Sequence, residues 1–211
     1  MMMKRFDLRP TGVVLAAVLA AGLLSACAPL LIGGAVVGGS LLVTDRRSSG
    51  AQLDDQAIEL KGANRVREQI GERGRISITS YNRQVLLTGE AATEADKSAA
   101  EQAVGRVDNV RSIVNELAVG PTPALTARSN DLVISGKVKA SFIDAADLHA
   151  NAVKVVTERG IVYLMGRVTE REAGRATEIA RGVGGVQKVV RVFEIVTESE
   201  LADQLPRSGR T

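Results

Sequence analysis

Few residues in this 211-residue chain could do chemistry, and their spacing argues against it. Glu170 and Glu172 could form a carboxylate pair for general acid–base work, but alternate residues on a helix point away from one another. Their place in a helix's first turn, where negative charge meets the positive end of the dipole, accounts for both. His149 is the only histidine, so any arrangement needing two imidazoles is excluded. It follows Asp144 and Asp147 in a loop between a helix and a strand, the setting of a solvated side chain. Cys27 is the only cysteine, which excludes an internal disulfide and a multi-cysteine metal site. Tyr81 falls in a hairpin turn, where exposure needs no functional account. Gly182-x-Gly184-Gly185 ends a helix rather than opening one, so it is not a phosphate-cradling loop. The sequence thus predicts no catalytic residue, no metal and no cofactor. A formal charge of +3 is too small to point to nucleic acid.

The N-terminus carries the strongest local signal. Lys4, Arg5 and Arg9 precede an apolar core, Val13 to Leu24, that is short for a bilayer span. Leu24-Ser25-Ala26-Cys27 follows, and it resembles the lipobox of bacterial lipoproteins. The resemblance implies cleavage before Cys27, diacylglycerol on its thiol, and sorting to the outer membrane, because Ala28 is not the aspartate of inner-membrane retention. Pro29 to Val43 is apolar but broken by four glycines, and at 15 residues it falls short of the ~20 of a spanning helix. It is expected to be a flexible segment beside the anchor, with Thr44 to Gln52 a polar linker.

The remainder is built from one phrase used twice. Ile161-Val162-Tyr163-Leu164-Met165-Gly166 is a run of β-formers closed by glycine, and the capping box Thr169-Glu170-Arg171-Glu172 follows. Val85-Leu86-Leu87-Thr88-Gly89 and Thr93-Glu94-Ala95-Asp96 repeat it earlier in the chain. The hairpins align from Ile76/Val153 to Gly89/Gly166 at an offset of 77, and the helices that follow at 76. In the first copy the expected elements are a helix Ile58–Ile70, a hairpin through Tyr81-Asn82-Arg83, a helix from Thr93 and a strand Val110–Val119. In the second they are a helix Leu132–Ile143 capped by Asn130, strands Val153–Val156 and Ile161–Met165, a helix from Thr169 and a strand Val186–Val196. The expected fold class is α+β, each copy being αββαβ with two helices on one face of a three-stranded mixed sheet. The divisions expected are a signal peptide 1–26, an anchored segment and linker 27–53, domains 54–119 and 129–197, a linker 120–128 and a disordered tail 198–211.

This duplicated unit, with glycine after the second strand and the Val107-x-x-Val110-x-x-Ile113-x-Asn115 run, resembles the BON domain. With the lipobox, Thr44-Asp45-Arg46-Arg47-Ser48 and Leu164-Met165-Gly166-x-Val168-Thr169-Glu170, it is similar to the dual-BON outer-membrane lipoproteins. The resemblance implies a non-enzymatic, periplasm-facing protein that binds anionic phospholipid and supports outer-membrane integrity, including at the division site.

Charge and amphipathicity say where such binding would lie. Asp54 to Ala118 holds nine Lys/Arg against eleven Asp/Glu, whereas Arg128 to Glu194 holds eleven against eight, so the second domain is the positive one. In its first helix Ile134, Val138 and Phe142 make one buried stripe, leaving Leu132, Val133, Ala140 and Ile143 around the sides. Lys137 and Lys139 flank this apolar surplus, as in an interfacial helix, and Gly136 lies among them. The expected membrane face is therefore Leu132, Val133, Gly136, Lys137, Lys139, Ala140 and Ile143, with phosphatidylglycerol-like lipid as partner. The lipoproteins it resembles carry tryptophan where this chain has Val133, so the interfacial aromatic is missing. The competing expectation is an adaptor or chaperone-like factor for outer-membrane protein assembly, its helix docking on protein.

Overall fold

A computed structural model of the chain describes residues 45–204, with side chains through 201. Cys27, the signal segment, the stretch 27–44 and the tail 205–211 lie outside the described residues. The elements are α1 Ser49–Ile70, β1 Gly74–Tyr81, β2 Gln84–Ala91, α2 Glu94–Gly105, β3 Ser112–Asn115 and β4 Ala118–Val119. The second copy follows as α3 Leu125–Asp144, a 3-10 turn Ala150–Ala152, β5 Lys154–Glu158, β6 Ile161–Val168, α4 Glu170–Gly182 and β7 Lys188–Ile195. A short helix, α5, spans Glu198–Gln204.

Each copy is the expected αββαβ unit. β1 and β2 form an antiparallel hairpin, and β3 and β4 return parallel to β2 after the α2 crossover. In the second copy β5 and β6 form the hairpin and β7 lies parallel to β6 from Ile161↔Lys188 to Val168↔Ile195. Both hairpins turn through two residues of positive φ, Asn82-Arg83 (50° and 67°) and Arg159-Gly160 (55° and 72°), the geometry that matches strand twist. The expected strand Val110–Val119 is split into β3 and β4, with the Glu116 N–H still donating to the Leu87 carbonyl at 3.0 Å between them.

Several boundaries differ from the sequence expectation. α1 begins at Ser49, not Ile58, because the Ser48 hydroxyl accepts the Ala51 N–H at 3.1 Å and caps the helix inside the expected linker. α3 begins at Leu125, so Asn130 is not its cap; Ala124 precedes the helix without a side-chain cap, and residues 120–124 lie between β4 and α3. Residues 198–204, expected without structure, form α5. The Thr197 hydroxyl accepts the Glu200 N–H and the Glu200 carboxylate accepts the Thr197 N–H, a capping box. Gly166 lies within β6, as Gly89 lies within β2, and at each a Cβ would meet a backbone carbonyl, that of Ala152 or Arg75, so the glycine marks a close approach.

Three apolar clusters hold the molecule. Ile58, Val66 and Ile70 of α1 pack with Val104 of α2 on Val85 and Leu87. Ile134, Val138 and Phe142 of α3 pack with Ala173, Ala176 and Ala180 of α4 on Val162 and Leu164. The third lies on the opposite sheet faces, where Tyr81 and Leu86 of the first domain meet Tyr163, Met165 and Val192 of the second. The sheets are therefore stacked face to face with all four long helices outside, and a continuous apolar β6 is what burial on both faces requires. Tyr81, expected in an exposed turn, ends β1 and is 4% exposed in this seam.

Candidate membrane-contact surface

The surface is built on α3, whose inward stripe is the one expected. Ile134, Val138 and Phe142 are buried in the domain core. Asp131 is buried as well, accepting the Arg159 N–H (2.9 Å) and the Gly160 N–H (2.8 Å) of the β5–β6 turn. Asp55 of α1 does the same in the first copy for Asn82 (2.8 Å) and Arg83 (2.7 Å), and also accepts Ser80 Oγ and Arg47. These aspartates register helix to hairpin in both domains. Sequence reasoning passed over them, although they stand 76 residues apart in matched helices.

With that face fixed, all seven residues expected at the membrane lie outward. Leu132, Val133, Gly136, Lys137, Lys139, Ala140 and Ile143 are each exposed. Leu132 and Ile143 are 76% and 73% exposed, and the two added helical turns bring in Leu125 at 71%. Leu125, Leu132, Gly136 and Ile143 are spaced two, one and two turns apart, a single line about 27 Å long. Val133, Lys137 and Ala140 form one flank, while Lys139 and the half-buried Arg128 lie on the other. Of the eight large apolar residues exposed among the described residues, α3 carries four and α1 two, Leu53 and Leu60. Gly136 has open space where a Cβ would stand, so packing does not require glycine there.

Three hollows border the helix. Val133 and Lys137 line a cleft of about 900 Å³ at the domain seam, and Lys137 and Ala140 a groove of about 580 Å³ against α4. Lys139 and Ile143 line a groove of about 370 Å³ that reaches Tyr81 and Arg47.

The seam itself is pinned by charge. Lys154 of β5 reaches Glu59 (3.1 Å) and the Ser80 carbonyl (3.2 Å), and Arg75 bridges Glu90 and Glu158. Ahead of α1, Arg46 binds both Glu172 oxygens (2.7 and 2.8 Å) and the Arg167 carbonyl (3.0 Å). Arg47 binds Asp45 and Asp55 and sits over the Tyr81 ring, 4.5 Å from its centroid. The stretch expected to be a polar linker thus ties one domain with each arginine. Burial alone would raise the Glu172 carboxyl, but the bonds from Arg46 and the Thr169 N–H outweigh it and hold its pKa at about 2. Burial pushes Tyr81 up to about 12.

Among the described residues no group of three or more His, Cys, Asp or Glu is placed to hold a metal ion, and no helix is long and apolar enough to cross a membrane.

Comparison with known proteins agrees with this architecture. The family model described as the BON domain matches residues 54–121 and 130–197. The outer membrane lipoprotein DolP of Haemophilus influenzae is 36% identical over 173 residues, covering 81% of this chain and 89% of that protein. A 21 kDa hemolysin of Actinobacillus pleuropneumoniae is 34% identical, covering 72% and 79%. Osmotically-inducible protein Y of Escherichia coli is 28% identical over 145 residues, covering 66% and 72%. Two stacked αββαβ units, each under its own match, make this chain a member of the BON-domain family, a dual-domain outer-membrane lipoprotein of the DolP type.

Proposed function

We propose that the chain binds anionic phospholipid through α3 of its second domain, at the periplasmic face of the outer membrane, and so supports outer-membrane integrity, including at the division site. The observation that carries this is the unburied line Leu125–Leu132–Ile143 with Val133 beside it, edged by Arg128, Lys137 and Lys139. A soluble surface gains nothing from such a line, whereas each large aliphatic side chain taken out of water contributes about 1.5–3 kcal/mol. Each basic residue near an anionic surface adds about 1 kcal/mol. The missing aromatic at Val133 leaves more of the attraction to charge, and the lipid anchor at Cys27 supplies the second attachment that stable peripheral binding needs. No catalytic step is assigned to the protein.

The test is sedimentation of the unacylated mature chain (Cys27→Ala) with phosphatidylglycerol vesicles. Lys137→Glu combined with Lys139→Glu reverses the local charge without touching Ile134, Val138 or Phe142, so binding should fall at least tenfold while thermal unfolding is nearly unchanged. Salt should weaken the wild-type interaction, because exposed charges are screened within ~10 Å at about 0.1 M. A folded double variant that binds as well as wild type removes α3 from the contact. Failure of the wild type to bind vesicles would turn the same face into a docking surface for outer-membrane assembly proteins.

A further inference from the structure

The groove beside the C-terminal half of α3 is a more selective feature than the exposed line, and the inference about it rests on the lipid-binding function proposed above. Lys139 and Ile143 belong to both surfaces, so the groove opens where α3 would meet a bilayer. It holds about 370 Å³, within the range of small-molecule sites. Its walls come from both domains. Ile143 lines it as an exposed side chain, the largely buried Phe142 and Val155 lie beneath, and Tyr81 lines it from the first domain.

Three cations stand on this lining, Arg47, Lys139 and Lys154, against one carboxylate, Asp45. Two of the three are held in place before any ligand arrives. Lys154 is fixed between Glu59 and the Ser80 carbonyl, and Arg47 between Asp45, Asp55 and the Tyr81 ring. Neither has used all its donors: Lys154 keeps one of an ammonium's three N–H groups and Arg47 two of a guanidinium's five. Asp45 and Asp55 pair with Arg47 and Glu59 pairs with Lys154, so Lys139 is the cation of this lining that carries no carboxylate partner among the described residues.

We propose that this groove takes one phospholipid from the contacted membrane, its phosphate among Lys139, Lys154 and Arg47 and the start of an acyl chain along Phe142, Ile143 and Val155. The apolar wall decides between a lipid and a free phosphate ester, since a water-soluble anion gains nothing from that wall. Lys154 is the diagnostic residue, because it lies on β5 and takes no part in the outward line of α3.

The experiment titrates the unacylated mature chain with short-chain phosphatidylglycerol below its micelle concentration and, separately, with sn-glycerol 1-phosphate, following backbone amide shifts. Wild type should bind the lipid monomer saturably, with shifts at Tyr81 and Val155, and bind glycerol phosphate far more weakly. Lys154→Gln should weaken monomer binding about fivefold, the effect of one basic residue, and Lys154→Arg should restore it. Vesicle sedimentation by Lys154→Gln should change less than twofold; losing the half-exposed Glu59 pair should lower the melting temperature only slightly, and Lys154→Arg, which keeps that pair, should melt as wild type does. Equal monomer affinity in wild type and Lys154→Gln overturns the site, as does glycerol phosphate binding as tightly as the lipid. Vesicle binding without monomer binding overturns the groove and leaves the α3 contact standing. Monomer binding without vesicle binding does the reverse.

Discussion

Glu172 offers the sharpest test of how the two domains and the incoming chain are tied together. Its carboxylate caps α4 through the Thr169 N–H at 3.0 Å and also receives both terminal nitrogens of Arg46, with only 3% of its side chain exposed. Its pKa is held at about 2 against an ordinary 4.5. At 1.36 kcal/mol per pH unit that difference is about 3 kcal/mol. Arg46 keeps 15% of its side chain in water, which screens the pair, so about 2 kcal/mol is the expected contribution. A depressed carboxyl stabilises fully above its unfolded value, so the contribution is complete above about pH 5 and is lost as the pH falls from there to about 2. Glu172→Gln keeps the shape and the Thr169 bond but loses the charge, leaving Arg46 without its counterion. Urea unfolding at pH 7 should show Glu172→Gln less stable by about 2 kcal/mol, with the gap closing towards pH 2. Arg46→Ala should reproduce the loss at pH 7. A gap absent at pH 7, or constant down to pH 2, would refute the ion-pair account.

Two further comparisons probe the fold that carries α3. Gly166→Ala sets a Cβ 2.3 Å from the Ala152 carbonyl oxygen and should cost at least about 2 kcal/mol, while Gly136→Ala meets open space and should stabilise α3 by about 0.5–1 kcal/mol; calorimetry showing equal melting temperatures for the two would contradict the register of β6. Asp55→Ala removes the acceptor for Ser80, Asn82, Arg83 and Arg47, whereas Asp131→Ala removes it for Arg159 and Gly160 alone. The first should therefore be more destabilising by at least about 1 kcal/mol in denaturant titration, and the opposite order would contradict the role of Asp55 in holding α1 to its hairpin.

What was legible in the sequence followed from periodicity and caps. Thr169-x-x-Glu172 marked the start of α4 correctly, because a capping box is a local hydrogen-bond pattern. The inward stripe of α3 was equally plain, because three apolar residues at i, i+4 and i+8 leave one way to face a sheet. The start of α3 was not, since Asn130 is a good cap in isolation, but an uninterrupted helix from Leu125 outweighs it. The seam was missed for another reason. Ile161 to Met165 is apolar at every position, the pattern of a strand covered on both sides, yet one domain supplies helices for one side only. Tyr81 and Arg46 are explained by contacts with residues over 80 positions away, and local pattern carries no trace of them.

The stacked sheets also explain why a domain without the apolar line is joined to one that has it. Ile161, Tyr163, Met165, Val190 and Val192 make the back of the second sheet strongly apolar. Alone, that sheet would leave these five side chains facing water. The first domain covers it with Tyr81, Leu86 and Val114, and does so while burying Thr88 and Glu90, polar residues that a face built only for packing would avoid. Arg75 compensates by bridging Glu90 to Glu158 across the seam, so the cover is held by charge as well as by apolar contact. With the back sealed, the large apolar side chains that the second domain leaves exposed lie mostly on α3, as Leu125, Leu132, Val133 and Ile143. Vesicle measurements on an isolated second domain would read the uncovered back of its sheet as well as α3, which is why each lipid experiment uses both domains.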